Sequence, residues 1–123
     1  MSELIVTRAV RVASLERLPP ARKRALFSRR ERSLASRKPR GNESLAARLA
    51  VKLGFLFLLR SAGFAEPVSP SKIEVLNQRN GKPRLFIGER GSRAYLRARR
   101  ARILLSIAHT RSWGVATLAI QFL

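Results

Sequence analysis

At 123 residues the chain is long enough for one domain with a real core, and an apolar content of 46% argues against disorder throughout. Its 26 Lys and Arg, 21 of them Arg, face 7 acids for a net charge of +19, a field that draws nucleic acid, an anionic membrane, a phosphorylated small molecule or an acidic protein. Cys is absent, His occurs once and every acid is Glu, which excludes disulfides and thiolate chemistry, argues against a protein-only zinc site and removes the Asp carboxylates on which many Mg2+ sites are built.

Leu4 to Ala13 is rich in β-branched residues and is expected as a strand, with Leu4, Val6, Val10 and Val12 on one face and Ile5, Thr7, Ala9 and Arg11 on the other. Because Met1 to Arg8 already carries Glu3 and reads as strand, no secretory signal is visible. Pro19-Pro20 breaks the chain before a basic helical stretch, Ala21 to Leu26. A second short helix follows over Phe27 to Ala35, with Ser28 able to cap it.

After the loop at Lys38 to Gly41, Asn42 stands where a helix cap is expected and Glu43 in the first turn. The helix that follows runs to about Arg60 or Ala62 and is apolar around most of its surface, with a stripe at Leu45, Leu49, Leu53 and Leu56. Such a helix is expected as the buried spine of a small domain. Its wholly apolar run, Leu53 to Leu59, falls far short of the roughly 20 residues of a membrane span. A soluble, cytoplasmic protein is the expectation.

Gly63 to Ser71 reads as a linker. Lys72 to Asn77 is expected as a strand, Asn80-Gly81 as a hairpin turn and Pro83 to Ile87 as the returning strand. Ser92 to Ala101 reads as a basic helix, and Ile103 to His109 and Trp113 to Phe122 as two more strands. The order predicts a single α+β domain over residues 1–123, one long buried helix on an antiparallel sheet.

These segments resemble, in order and spacing, the holo-acyl-carrier-protein synthase family of 4'-phosphopantetheinyl transferases. Ala9-Val10-Arg11-Val12-Ala13-Ser14-Leu15-Glu16-Arg17 stands where the family opens with G-x-D-hydrophobic-V-x-I-x-R. Phe27-Ser28-Arg29-Arg30-Glu31 is similar to its F-T-x-x-E, and Arg48 to Phe57 to its helix R-x-A-x-K-E-A-x-x-K. Ile73-Glu74-Val75 with Gly81-Lys82-Pro83 resembles the hairpin, and Ser106-Ile107-Ala108-His109-Thr110 the closing S-hydrophobic-S-H-T.

The resemblance implies a small trimeric α+β protein that moves phosphopantetheine from coenzyme A to a serine of an acyl carrier protein. It also exposes departures. The family's opening Asp and the Glu of K-E-A bind Mg2+; here those positions read as Arg11 and Leu53, and the later Lys as Phe57. A degenerate metal site and an impaired or inactive transferase are therefore expected, with carrier or coenzyme binding kept. Two other readings stand beside this one. In the first, Glu31 and a substrate-bound ion rebuild the metal site. In the second, the fold serves a basic RNA- or ribosome-binding protein.

Each candidate has two readings. Lys52, with Arg48 one helical turn earlier, would hold coenzyme phosphate or else lie at the edge of a buried helix with its amine reaching water. Arg11 would replace the metal with a guanidinium or simply point to solvent. Gly81, Pro83, Ser106 and His109 are implied to line the coenzyme pocket, although a lone His on a strand also serves as a structural hydrogen-bond partner. Arg17, Arg22 and Arg24 are implied to grip the acidic helix of the carrier, or form a solvated basic helix. Tyr95 to Arg102 is the segment most like a nucleic-acid contact.

Overall fold

A computed structural model describes residues 3–64, 68–88 and 100–122. Strand β1 (Glu3–Arg11) leads into three short helices, α1 (Val12–Glu16), α2 (Pro20–Leu26) and α3 (Arg29–Ser36), and then the long α4 (Gly41–Ser61). A 3-10 turn at Pro70–Lys72 precedes the hairpin strands β2 (Ile73–Asn77) and β3 (Pro83–Ile87), and β4 (Ala101–His109) and β5 (Trp113–Phe122) close the chain. The architecture is α+β, as the segment order predicts.

Strands β1, β5 and β4 form an antiparallel sheet in that order, and β2 and β3 a separate antiparallel pair. Alternation along the sheet sends Val6 and Val10 of β1 and Ala116, Leu118 and Ile120 of β5 toward α4. The other flank of α4 is covered by α1, α3 and β2, with Leu15, Phe27, Ala35, Ile73 and Val75 joining the same core. Enclosure on both flanks explains why α4 carries so little polar surface. The helix meets the sheet closely at Gly114, where a Cβ would lie 2.2 Å from the Ala47 backbone nitrogen, so only glycine fits.

Two expectations need correction, and a third falls mostly outside the described residues. Val12 and Ala13 are not strand: the chain turns into α1 there, with the Val12 N–H bonded to the Ser112 carbonyl. Asn42 is not the cap of α4, which begins at Gly41 after Arg40 with no side-chain cap; the Asn42 Oδ1 instead accepts from Lys23 Nζ at 3.3 Å, tying α2 to α4. Of the expected basic helix at Ser92 to Ala101, residues 92–99 lie outside the described residues, and Ala101 opens β4.

Ser28 does cap α3, in a capping box with Glu31. The hairpin turns at Asn80-Gly81, with Gly81 at φ 83° and its N–H on the Gln78 carbonyl. Among the described residues no non-glycine has positive φ, so Asn80 does not share the left-handed conformation that a two-residue Asn-Gly turn requires.

Candidate functional site

The charged heart of the molecule is buried. Lys52 is fully enclosed, and its Nζ bonds Glu31 Oε1 at 2.5 Å, the Leu26 carbonyl at 2.7 Å and the Pro70 carbonyl at 3.0 Å, above the Phe27 ring. Glu31 spends its remaining acceptor capacity on the Ser28 and Val75 N–H groups, each at 3.0 Å. Arg48, one turn before Lys52, bonds the Val75 carbonyl at 2.9 Å and the Ser44 hydroxyl. Burial pushes both cations below their ordinary ranges, and the Glu31 carboxylate opposes that drop.

This network corrects the expectation that the Lys52 amine reaches water: both cations are turned inward, bonding α3, β2 and the Pro70 carbonyl to α4. Glu31 is likewise closed off. A fully buried carboxylate with a lysine and two backbone donors has no open side for a metal ion.

Arg11 keeps the face that the strand pattern gives it, with Ile5, Thr7 and Ala9 on the side turned away from α4, and its guanidinium lies 5.1 Å from the Trp113 ring centre. On the side turned to α4, a Cβ at Gly54 would lie 3.3 Å from Val6 Cγ1 and 3.4 Å from Arg8 Cγ. Leu53 is half-buried and Phe57, a turn further on, is 49% exposed.

His109 points to the helix side of the sheet, and its Nδ1 lies 3.2 Å from Glu43 Oε1, with Arg40 Nε 3.6 Å from the other carboxylate oxygen. The orienting acid absent from its sequence neighbourhood is supplied by the first turn of α4. Arg11, Lys52 and His109 do not converge: one stacks on Trp113, one is sealed in the core and one sits at the start of α4.

Pro83 and Ser106 do come together, with Lys82 and Arg84, along a groove of about 1010 Å³ between β3 and β4. Gly81 shapes the turn at its end. Arg17, Arg22 and Arg24 are all exposed, at the end of α1 and along α2. Of Tyr95 to Arg102, residues 95–99 lie outside the described residues and Arg102 is on β4. Among the described residues no three His, Cys, Asp or Glu side chains gather as a metal-ligand group, and no helix is long and apolar enough to cross a membrane.

No family model matches the chain. Two proteins described as holo-[acyl-carrier-protein] synthase are similar in sequence. That of Chloroherpeton thalassium is 33% identical over 84 residues, 68% of this chain and 65% of its own length, a little under two thirds. That of Geotalea daltonii is 30% identical over 96 residues, 78% of this chain and 76% of its own. The ACPS–CoA complex of Chronobacterium ammoniagenes shares the fold, with a TM-score of 0.80 at 24% identity over 100% of this chain and 99% of that one. With the ordered motifs, these likenesses define the class: the chain belongs to the holo-acyl-carrier-protein synthase family.

Proposed function

We propose that this protein is a holo-acyl-carrier-protein synthase-like protein that binds an acidic acyl carrier protein and coenzyme A, and whose transfer of 4'-phosphopantetheine is impaired because the Mg2+ ligands are replaced. One observation carries the reading: by the ordered motifs, the positions of the family's two metal carboxylates read Arg11 and Leu53 here. A guanidinium and a hydrocarbon offer no oxygen to a hard cation, so these residues do not fit Mg2+. When bound, the metal would supply Lewis-acid stabilisation worth several kcal/mol to the developing charge. A chain lacking that help is expected to be slow.

What the chain's own residues retain supports binding. Arg17, Arg22 and Arg24 form an exposed basic run suited to an acidic helix, which would speed encounter and set register. The groove lined by Lys82, Pro83, Arg84 and Ser106 has cations and room for a coenzyme, and the Chronobacterium ammoniagenes relative is a CoA complex. His109, aimed by Glu43, would order the neighbouring end of the site.

A homotrimer is the assembly we infer. On the sheet face away from α4, register aligns Ile5, Ala119 and Leu104 in one row and Ala9, Val115 and Ala108 in another, with the Thr7, Thr117 and Ser106 hydroxyls between. Three rows without a charge, with Ile5 66% and Leu104 64% exposed, would be covered by further copies of the chain. A cytoplasmic location accords with this role.

The test is to incubate the protein with apo carrier protein, coenzyme A and Mg2+ and follow the carrier by mass. Slow or absent phosphopantetheine gain, alongside measurable carrier binding, is expected. Transfer at the rate of an intact family member run in parallel would defeat the impaired reading. In the double variant Arg11→Asp with Leu53→Glu, Mg2+-dependent transfer should rise if the pocket is otherwise intact. Circular dichroism must accompany it, since a carboxylate at position 53 is half-buried.

A further inference from the structure

Residues 18–42 carry nine cations, Arg22, Lys23, Arg24, Arg29, Arg30, Arg32, Arg37, Lys38 and Arg40, and a single acid, Glu31. That acid is sealed inside against Lys52; from outside the segment Glu43 lies 3.6 Å from Arg40 and Glu74 accepts from Ser28, which still leaves a large positive excess. The helical repeat sorts α3 into two sides. Glu31 and Ala35 face the core, while Arg29, Ser33 and Arg37, four residues apart, run along the outer stripe with Arg30 beside them. From Arg29 to Arg37 the stripe spans about 12 Å at 1.5 Å per residue.

A cleft of about 490 Å³ opens at the start of this stripe, lined by Ser28, Arg29, Arg30, Ser33, Lys72 and Glu74 among others. Its one carboxylate is engaged by the Ser28 hydroxyl at 2.8 Å. Cations and hydroxyls on one ridge are suited to a row of phosphates rather than a single small anion.

The absence of apolar and aromatic groups on the ridge narrows the partner. Leu34, at 37%, is the one large hydrophobic exposed in this segment, which leaves no apolar face to enter a lipid surface. Phe27, its one aromatic, is fully buried, so no ring is available to stack on the bases of a single strand. We infer that the outer face of α3, with the Arg37 to Arg40 loop, binds the phosphate backbone of double-stranded DNA without reading its sequence, a surface distinct from the Arg17, Arg22 and Arg24 run proposed for the carrier protein.

The experiment uses the full chain and a fluorescent 24-base-pair duplex of arbitrary sequence, with anisotropy read from 50 to 300 mM salt. Two triple variants carry the same net charge of +16, three below the wild-type +19. Arg29→Ser/Arg30→Ser/Arg37→Ser empties the ridge, and Arg60→Ser/Arg79→Ser/Arg111→Ser removes three arginines elsewhere. The ridge variant should weaken binding at least tenfold and flatten the salt slope by about three, one for each lost phosphate contact, with the control close to wild type. All six side chains are exposed, and thermal unfolding confirms that both variants fold. Equal losses in the two variants would mean that only the bulk field attracts DNA and would overturn the assignment. It would also fall if apo carrier protein displaced the duplex from this face, or if a single strand of the same length bound as tightly.

Discussion

Replacing Lys52 by Met tests whether the buried cation is a clamp or a ligand-binding group. Met keeps most of the side-chain volume and removes three hydrogen bonds together with the countercharge of Glu31, which stays fully enclosed. Breaking one side of a buried pair costs about 3–5 kcal/mol, because a charge is left without a partner. A domain of this size has about 5–15 kcal/mol in total, so the change takes a large fraction of it. At roughly 4 °C per kcal/mol the melting temperature should fall by about 12–20 °C, read by circular dichroism. The double variant Lys52→Met with Glu31→Gln should recover part of that loss by removing the stranded charge; the amide oxygen keeps one of the two N–H bonds, because Ser28 bonds Oε1 and Val75 bonds Oε2.

The pH dependence gives an independent reading. Burial holds the Lys52 ammonium below the ordinary value of 10.5, with Glu31 opposing. Between that lowered value and 10.5 the unfolded chain binds the extra proton, so this group makes stability rise with pH across the window. The wild type should show that rise in its urea midpoint, and Lys52→Met should lack it. A Lys52→Met protein within about 0.5 kcal/mol of wild type, with coenzyme binding lost, would refute the clamp and return Lys52 to the ligand site.

Gly114→Ala places a methyl against the Ala46 and Ala47 backbone, and since backbone cannot step aside the protein should lose several kcal/mol or fail to accumulate in soluble form, as judged by yield and unfolding midpoint. Ser28→Ala removes both the α3 cap and a bond to Glu74 and should cost about 0.5–2 kcal/mol in urea titration. Leu104→Glu sets a charge in the middle of the uncharged sheet face; light scattering should find the trimer dissociated, and an unchanged mass would remove that face from the assembly.

Much of this protein was decided along the chain. The period of the apolar residues marked α4 and the strands, because burial on one face repeats every two or about 3.6 residues whatever lies opposite. Ser28 with Glu31 specified the start of α3, since a capping box closes within four residues. The total absence of Asp and the Leu at position 53 raised the expectation of a weakened metal site before any fold was known. Parity along β1 contained the distinction between Arg8 and Arg11, but became decisive only when the sheet showed which face meets α4.

Other features depended on pairs far apart in sequence. Lys52 meets Glu31 from 21 residues away, and Glu43 meets His109 from 66, so neither bond leaves a local signal. Burial then changed what those residues can do. A lysine read from its motif as a phosphate ligand is enclosed against Glu31 and two carbonyls, because buried charge must find its partners inside the protein. The lone histidine gained an orienting acid in the same way. Local pattern determined which elements form; long-range closure around α4 determined which charges remain for a partner.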